Sequence, residues 1–351
     1  MPVVSNKEKQ IITKLLRWYR KNKRNLPWRV LSKNNLPIPY YTMISEFMLQ
    51  QTTVRTVISK FDEFIKIWPN LKRLNTTKEV HILKIWSGLG YYVRAKNLLK
   101  SINIIAKKHK YIIPHEYDDL LQLPGIGDYT AKAILGIAFN KPVMPVDVNI
   151  ERIIIRIYGL SEPIPSIKKK IINCSTKLIS TNRSSDLIQA FMDYGSLICL
   201  PNKPKCHECI ISSYCIAFKD NLTQVIPLKR KKANKKPKKI TRAYIIINQY
   251  KEVLVRRRPA SGMLQSMLEV PNDKWVTNKV LLKKDETAKL CSIKFSKIIG
   301  GFIYSFSHFD LKVEIFSTSI KKRKIKNHSW IMLNKAAQSG MPTLMKKIIR
   351  I

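Results

Sequence analysis

Acidic residues are scarce in this 351-residue chain: 23 Asp and Glu stand against 65 Lys and Arg, a formal charge of +42. So basic a balance predicts a polyanionic partner, nucleic acid or an anionic membrane surface. Part of the surplus reflects the Lys-, Ile- and Asn-rich composition that AT-rich codons favour, and about half is credited to function. The opening MPVVSNKEKQ has no apolar core, so a secretory signal peptide is not expected. No apolar run reaches the roughly 18 residues needed to span a bilayer, so the chain reads as soluble and cytoplasmic. No repeat of solenoid period is visible, and strand-like alternation is rare before residue 200.

What is there up to that point is helical periodicity, over 8–21, 41–60, 91–109, 128–139, 149–158 and 185–198. Lys229–Arg242 carries nine basic residues and no acidic one and reads as a solvated linker. Beyond it, 243–248, 252–256 and 309–316 alternate as strands, with a turn at 249–251. The expected organisation is a mainly α domain over 1–225, a basic linker over 226–242 and a smaller α+β domain over 243–351.

Four of the six cysteines, Cys199, Cys206, Cys209 and Cys215, follow C-x6-C-x2-C-x5-C. In a reducing compartment clustered thiolates are metal ligands more often than disulfides. A single CxxC fits poorly with zinc sites built from two knuckles, whereas four thiolates in one loop suit an iron–sulfur cluster. His207 reads as a surface residue, and Cys174 and Cys291 as ordinary thiols. Lys203 and Lys205 are candidates for phosphate contact. The spacing resembles the cluster loop of the endonuclease III/MutY superfamily, which implies a [4Fe-4S] cofactor on these four cysteines.

Leu123–Gly127 (LPGIG) precedes a helix near Asp128. Gly125 and Gly127 would let the backbone approach a phosphate that the next helix N-terminus binds. The run resembles the helix–hairpin–helix turn of DNA glycosylases. Twenty residues on stands Asp147, an N-cap aspartate by position; the resemblance also sets it beside a base-excision pocket, oriented by Asn149. Val148 stands where many members have Gly. Tyr129 occupies the position of the Schiff-base lysine of endonuclease III. A phenol has no amine to offer, and Lys132, one turn on, is outside the motif position. A glycosylase without an efficient lyase step is expected.

Ile44–Thr52 resembles the SE-x-MLQQT segment of MutY. Adenine leaves deoxyribose as a poor anion unless a ring nitrogen is protonated, and a desolvated carboxyl holds a proton near neutrality. Glu46 is therefore assigned as general acid, Asp147 as stabiliser of the oxocarbenium-like sugar, and Tyr129 as a hydrogen-bonding support. The adenine must leave the duplex. By resemblance Gln50, Gln51 and Thr52 probe the helix interior. Gly88–Tyr92 matches the GLGYY wedge, in which Leu89 lies and Tyr91 would intercalate. Trp28, Arg29 and Gln189 fall where the family lines its base pocket.

Phe306, Ser307 and His308 resemble the MutY loop that reads 8-oxoguanine, in a domain similar to the Nudix-like C-terminal half of that family. Leu264, Gln265 and Ser266 depart from its usual GLW-x-G loop, although Glu269–Pro271 and the run from Trp330 to Pro342 continue the likeness. The metal-binding Nudix helix is missing from the sequence, so pyrophosphate hydrolysis is not expected. The resemblance implies a monomeric glycosylase acting on double-stranded DNA with adenine opposite 8-oxoguanine or guanine. The alternatives are an endonuclease III-type pyrimidine glycosylase/lyase and a non-enzymatic iron–sulfur DNA-binding protein.

Overall fold

The structure, a computed structural model, describes residues 5–164, 166–180, 182–228, 236–259, 262–265, 267–285, 287, 298–306, 308–336 and 341–351. Ser266, Cys291, Ser307 and residues 229–235 of the basic segment lie outside these. Two compact units emerge, Met1–Thr76 with Lys96–Lys232, and Thr77–Ala95 with Ala233–Ile351. Residues 77–95, counted with the first domain on sequence grounds, group with the second unit.

The helices run α1 (Asn6–Asn22), α2 (Pro39–Leu49), α3 (Val54–Ile67), α4 (Leu71–Asn75), α5 (Glu79–Ile85), α6 (Val93–Lys108), α7 (Tyr117–Leu121), α8 (Asp128–Phe139), α9 (Val148–Tyr158), α10 (Lys168–Thr176), α11 (Ser184–Leu197) and α12 (Ile216–Lys219). Ile11, Leu15 and Tyr19 recur every four residues, so α1 presents one apolar stripe. That stripe joins the isoleucines of α9 and Leu187, Ile188 and Phe191 of α11 in one core. The helix α9 stops at Gly159, at φ +63°, because a left-handed residue ends the ladder there. A Cβ at Gly159 would stand 2.5 Å from Ile216 Cγ2, so the position also admits α12.

The single helix expected over 41–60 is broken into α2 and α3. Gln51 turns left-handed at φ +56°, and Thr53 restarts the chain as N-cap of α3, accepting from the Thr56 amide. Periodicity runs through the break because Phe47, Val54 and Phe61 keep a seven-residue apolar spacing; backbone reversal has no signature there.

In the second unit a mixed sheet is built from β1 (Lys238–Ile247), β2 (Glu252–Arg257), β3 (Leu268–Glu269), β4 (Ile298–Ser305), β5 (Asp310–Ser319) and β6 (His328–Met332). Its order is β3-β2-β1-β5-β4, with β6 also on β2. Strand β1 pairs in parallel with β5 from Lys238↔Asp310 to Ile247↔Ser319. Five of the residues read as linker are thus strand: Lys238–Arg242 form the first half of β1, their basic composition hiding the pairing. Among the described residues after β6 are two short helices, α13 (Leu333–Ala336) and α14 (Thr343–Ile349), and Leu344, Met345 and Ile348 pack into the core of this unit. The expected classes, a mainly α first domain and a smaller mixed-sheet second one, are both present.

Candidate functional site

The first unit holds a cavity of about 860 Å³ lined by Glu46, Tyr129, Asp147, Asn149, Trp28 and Gln189 among others. Glu46 enters from α2, a helix buried nearly all round, and is only 6% exposed. Burial, then the charge of Asp147, push its carboxyl up to about 7, while a hydrogen bond from Tyr129 pulls the other way. The Tyr129 hydroxyl, itself pushed far up by burial and by these two carboxyls, keeps its proton and can donate it to a carboxylate.

Asp147 caps α9: its Oδ1 accepts from the Asn149 amide at 3.0 Å and the Ile150 amide at 2.7 Å. Its Oδ2 accepts from Asn149 Nδ2 at 3.0 Å. Burial raises the Asp147 carboxyl, and those three donors oppose it. The donors stabilise the anion, so of the two carboxyls Glu46 is the one that keeps a proton. Lys132 is absent from the lining; it pairs with Asp128 at 2.7 Å one turn away.

Trp28 is buried edge-on against Phe61. Arg29 forks onto the fully buried Asp193 at 2.7 and 2.9 Å, and Arg24 adds a third bond at 2.6 Å. Arg29 therefore lines the cavity with its charge already matched. Gln189 donates to the Ser185 carbonyl at 3.1 Å. In the turn that breaks α2 from α3, Gln50 donates to the Gly125 carbonyl at 3.1 Å, while Gln51 and Thr52 line the mouth. Gly125 needs its missing Cβ twice over: φ is +85°, and a Cβ would meet Asn97 and Phe47 at 2.9 Å. The Gly127 N-cap carries no side chain and leaves the first amides of α8 open.

The loop before α6 belongs to the second unit. Gly88, Gly90 and Tyr91 all have positive φ, and Tyr91 is 39% exposed while Leu89 is buried. The buried Arg94 holds the loop, donating to the carbonyls of Leu89 at 2.8 Å and Gly90 at 3.0 Å. Phe306 lies in an aromatic cluster with Tyr304, Trp275 and Phe309, and His308 is exposed.

Cys199, Cys206, Cys209 and Cys215 line one small cavity with Arg156. Arg156 donates to Cys199 Sγ at 3.3 Å and to the Leu200 carbonyl at 2.7 Å. Burial raises the Cys209 thiol and lifts Cys215 to about 11, hydrogen bonds near the sulfurs opposing it only in part, so each thiol must give up its proton to a metal to become a ligand. Among the described residues no three His, Cys, Asp or Glu are arranged about a single ion. A multi-atom cluster spreads its thiolate ligands over a wider shell than one ion does, and the four sulfurs surrounding a shared cavity fit such a group. His207 is exposed and Cys174 half-buried.

Three buried arginines escaped the sequence reading: Arg94, Arg152 and Arg156. Arg152 donates to the Cys199 carbonyl at 2.8 Å, the Gly195 carbonyl at 2.6 Å and Asn149 Oδ1 at 3.0 Å. It thus ties the cysteine loop to the residue that holds Asp147. The signal for it was present, two arginines one turn apart inside an isoleucine-rich helix. Burying a guanidinium demands several fixed acceptors, so such a pair marks a junction.

Residues 44–179 match the HhH-GPD superfamily of base excision DNA repair proteins, and residues 242–350 match the NUDIX domain. A solved thermostable thymine-DNA glycosylase is 27% identical with a TM-score of 0.54, covering 61% of this chain and 97% of its own. An endonuclease III–DNA complex, 20% identical at a TM-score of 0.51, shares the fold over a similar span. Fold and site define a helix–hairpin–helix base-excision glycosylase carrying a Nudix-type domain. The adenine DNA glycosylase of Buchnera aphidicola subsp. Baizongia pistaciae is 36% identical over 95% of this chain and 94% of its own. The human adenine DNA glycosylase is 25% identical over 96% of this chain and 73% of its own. The chain belongs to the MutY-type adenine DNA glycosylase family, enzymes of base excision repair. Among the described residues no helix is long and apolar enough to cross a membrane.

Proposed function

We propose that this chain is a monomeric, monofunctional glycosylase that hydrolyses the N-glycosidic bond of adenine mispaired with 8-oxoguanine, or with guanine, in duplex DNA. One observation carries the reading: the Glu46 carboxyl, pushed up to about 7 by burial, shares a cavity with the Asp147 carboxyl, which accepts three hydrogen bonds that favour its anion.

Glu46 donates its proton to the imidazole-ring nitrogen of the flipped adenine, so the base leaves neutral rather than as an anion. Asp147 faces the positive charge that develops on the sugar, and Asn149 keeps its lone pairs directed. Tyr129 donates to Glu46 as the proton departs, steadying the carboxylate that forms. Water completes the hydrolysis. Trp28, Arg29 and Gln189 wall the base, Gly125 and Gly127 open amides to a phosphate, and Gln50, Gln51 and Thr52 probe the helix interior; Tyr91, on the loop that holds Leu89, is the wedge. Phe306, Ser307 and His308 read the opposite base. Cys199, Cys206, Cys209 and Cys215 would hold a [4Fe-4S] cluster, which supplies a rigid scaffold for the basic loop bearing Lys203 and Lys205. The first domain ends near residue 225, and the second begins by β1 at Lys238 and takes in residues 77–95. A lyase route is disfavoured because Tyr129 offers no amine and Lys132 is paired with Asp128.

The test is single-turnover excision on duplexes with adenine opposite 8-oxoguanine, guanine or thymine. Alkali-labile sites opposite the first two support the reading. Strand breaks without alkali, or excision of an oxidised pyrimidine instead, would refute it.

A further inference from the structure

Resting on the reading above, we propose that Lys346 is a positioning residue: it fixes the root of the Gly88–Tyr91 wedge loop to the helix that supports the lesion-reading turn, and so sets discrimination between 8-oxoguanine and guanine. Lys346 Nζ donates to Ser87 Oγ at 2.8 Å in a half-buried contact. Ser87 immediately precedes a loop that holds three positive-φ residues, Gly88, Gly90 and Tyr91. Such a loop keeps its shape only when both ends are held. Arg94 holds one end through the Leu89 and Gly90 carbonyls, and Lys346 holds the other.

The same helix, α14, meets the strand that runs into Phe306. The Tyr304 hydroxyl is hydrogen-bonded to Thr343, and the Lys347 ammonium stands 4.3 Å from the centre of the Phe302 ring. Leu344, Met345 and Ile348 are buried in the core beside Tyr304 and Phe306. A shift of β4 when the turn engages its base therefore moves α14, and α14 moves Ser87. Tyr91, the exposed ring at the far side of the loop, is the group displaced. Guanine, which gives the turn less to hold, shifts β4 less, so the link acts mainly on the oxidised pair.

The experiment is a double-mutant cycle of Lys346→Met and Ser87→Ala in the full chain. Single-turnover rates are read opposite 8-oxoguanine and opposite guanine, with Lys346→Arg as the conservative rescue. Each single change should lower the 8-oxoguanine-to-guanine rate ratio about tenfold. The double variant should lose no more than either alone, and Lys346→Arg should recover most of the ratio. Multiplying losses, an unchanged ratio, or equal falls on both duplexes with a lowered Tm would overturn the link. A wild-type enzyme that excises adenine opposite neither purine defeats the functional reading itself, whereas one without preference for the oxidised pair overturns the link alone. A preference that survives all three variants defeats only the role of Lys346.

Discussion

Asn149 Nδ2 donates to Asp147 Oδ2 at 3.0 Å, while Asn149 Oδ1 accepts from Arg152 at the same distance. The amide is thereby locked in one orientation, and the aspartate is kept as the anion of the pair that it forms with Glu46.

Glu46→Gln keeps the side chain's size and removes its proton. Single-turnover excision should fall on the order of 10²–10⁴-fold while mismatch affinity, measured by gel shift, stays within a few-fold. Near-full excision by this variant would sink the assignment of the acid.

The pH dependence follows from the raised Glu46 carboxyl. Its protonated form is the active one, so the excision rate should fall with unit slope above about pH 7. Stability runs the same way. A folded value of about 7 against an unfolded 4.5 means the folded state binds the extra proton between them. The contribution is complete below pH 4.5 and lost as pH rises through 7, about 3 kcal/mol in all. Urea titrations of wild type and Glu46→Gln over this window should show the slope only in the former.

Lyase activity should be absent. With Lys132 held by Asp128 and missing from the cavity lining, borohydride should trap little enzyme on abasic product, and strands should break only after alkali. Abundant trapped complex would place an amine at the sugar.

Arg152 joins Asn149 to the cysteine loop, so Arg152→Met should act on both. Excision should fall 10–100-fold, and iron and sulfide bound per chain should fall with it. Full iron content with unchanged rate would show the contacts to be dispensable. Cys209→Ser should lose iron and DNA affinity together.

Gly159→Ala places a Cβ at φ +63° and 2.5 Å from Ile216, which should cost about 1–3 kcal/mol in urea unfolding. Excision per folded molecule should not change.

Much of this was legible in the chain itself. LPGIG, the cysteine spacing, the lone glutamate in an apolar helix and the change of texture after the basic run are local patterns, and local patterns survive in one dimension. Asp147 as an N-cap was visible because capping uses only the next few amides. The break between Leu49 and Val54 was not, since apolar spacing continues across it. Nor was the extension of β1 into Lys238–Arg242, whose partner lies some seventy residues away in β5. The sequence by itself determined which groups could carry a proton, a sulfur ligand or a phosphate contact. Only the tertiary structure decided that Glu46 is desolvated beside Asp147, that Arg29 is matched by Asp193, and that three buried arginines bind loops in place. Burial and charge pairing are sums over residues distant in the chain, and those sums set a pKa.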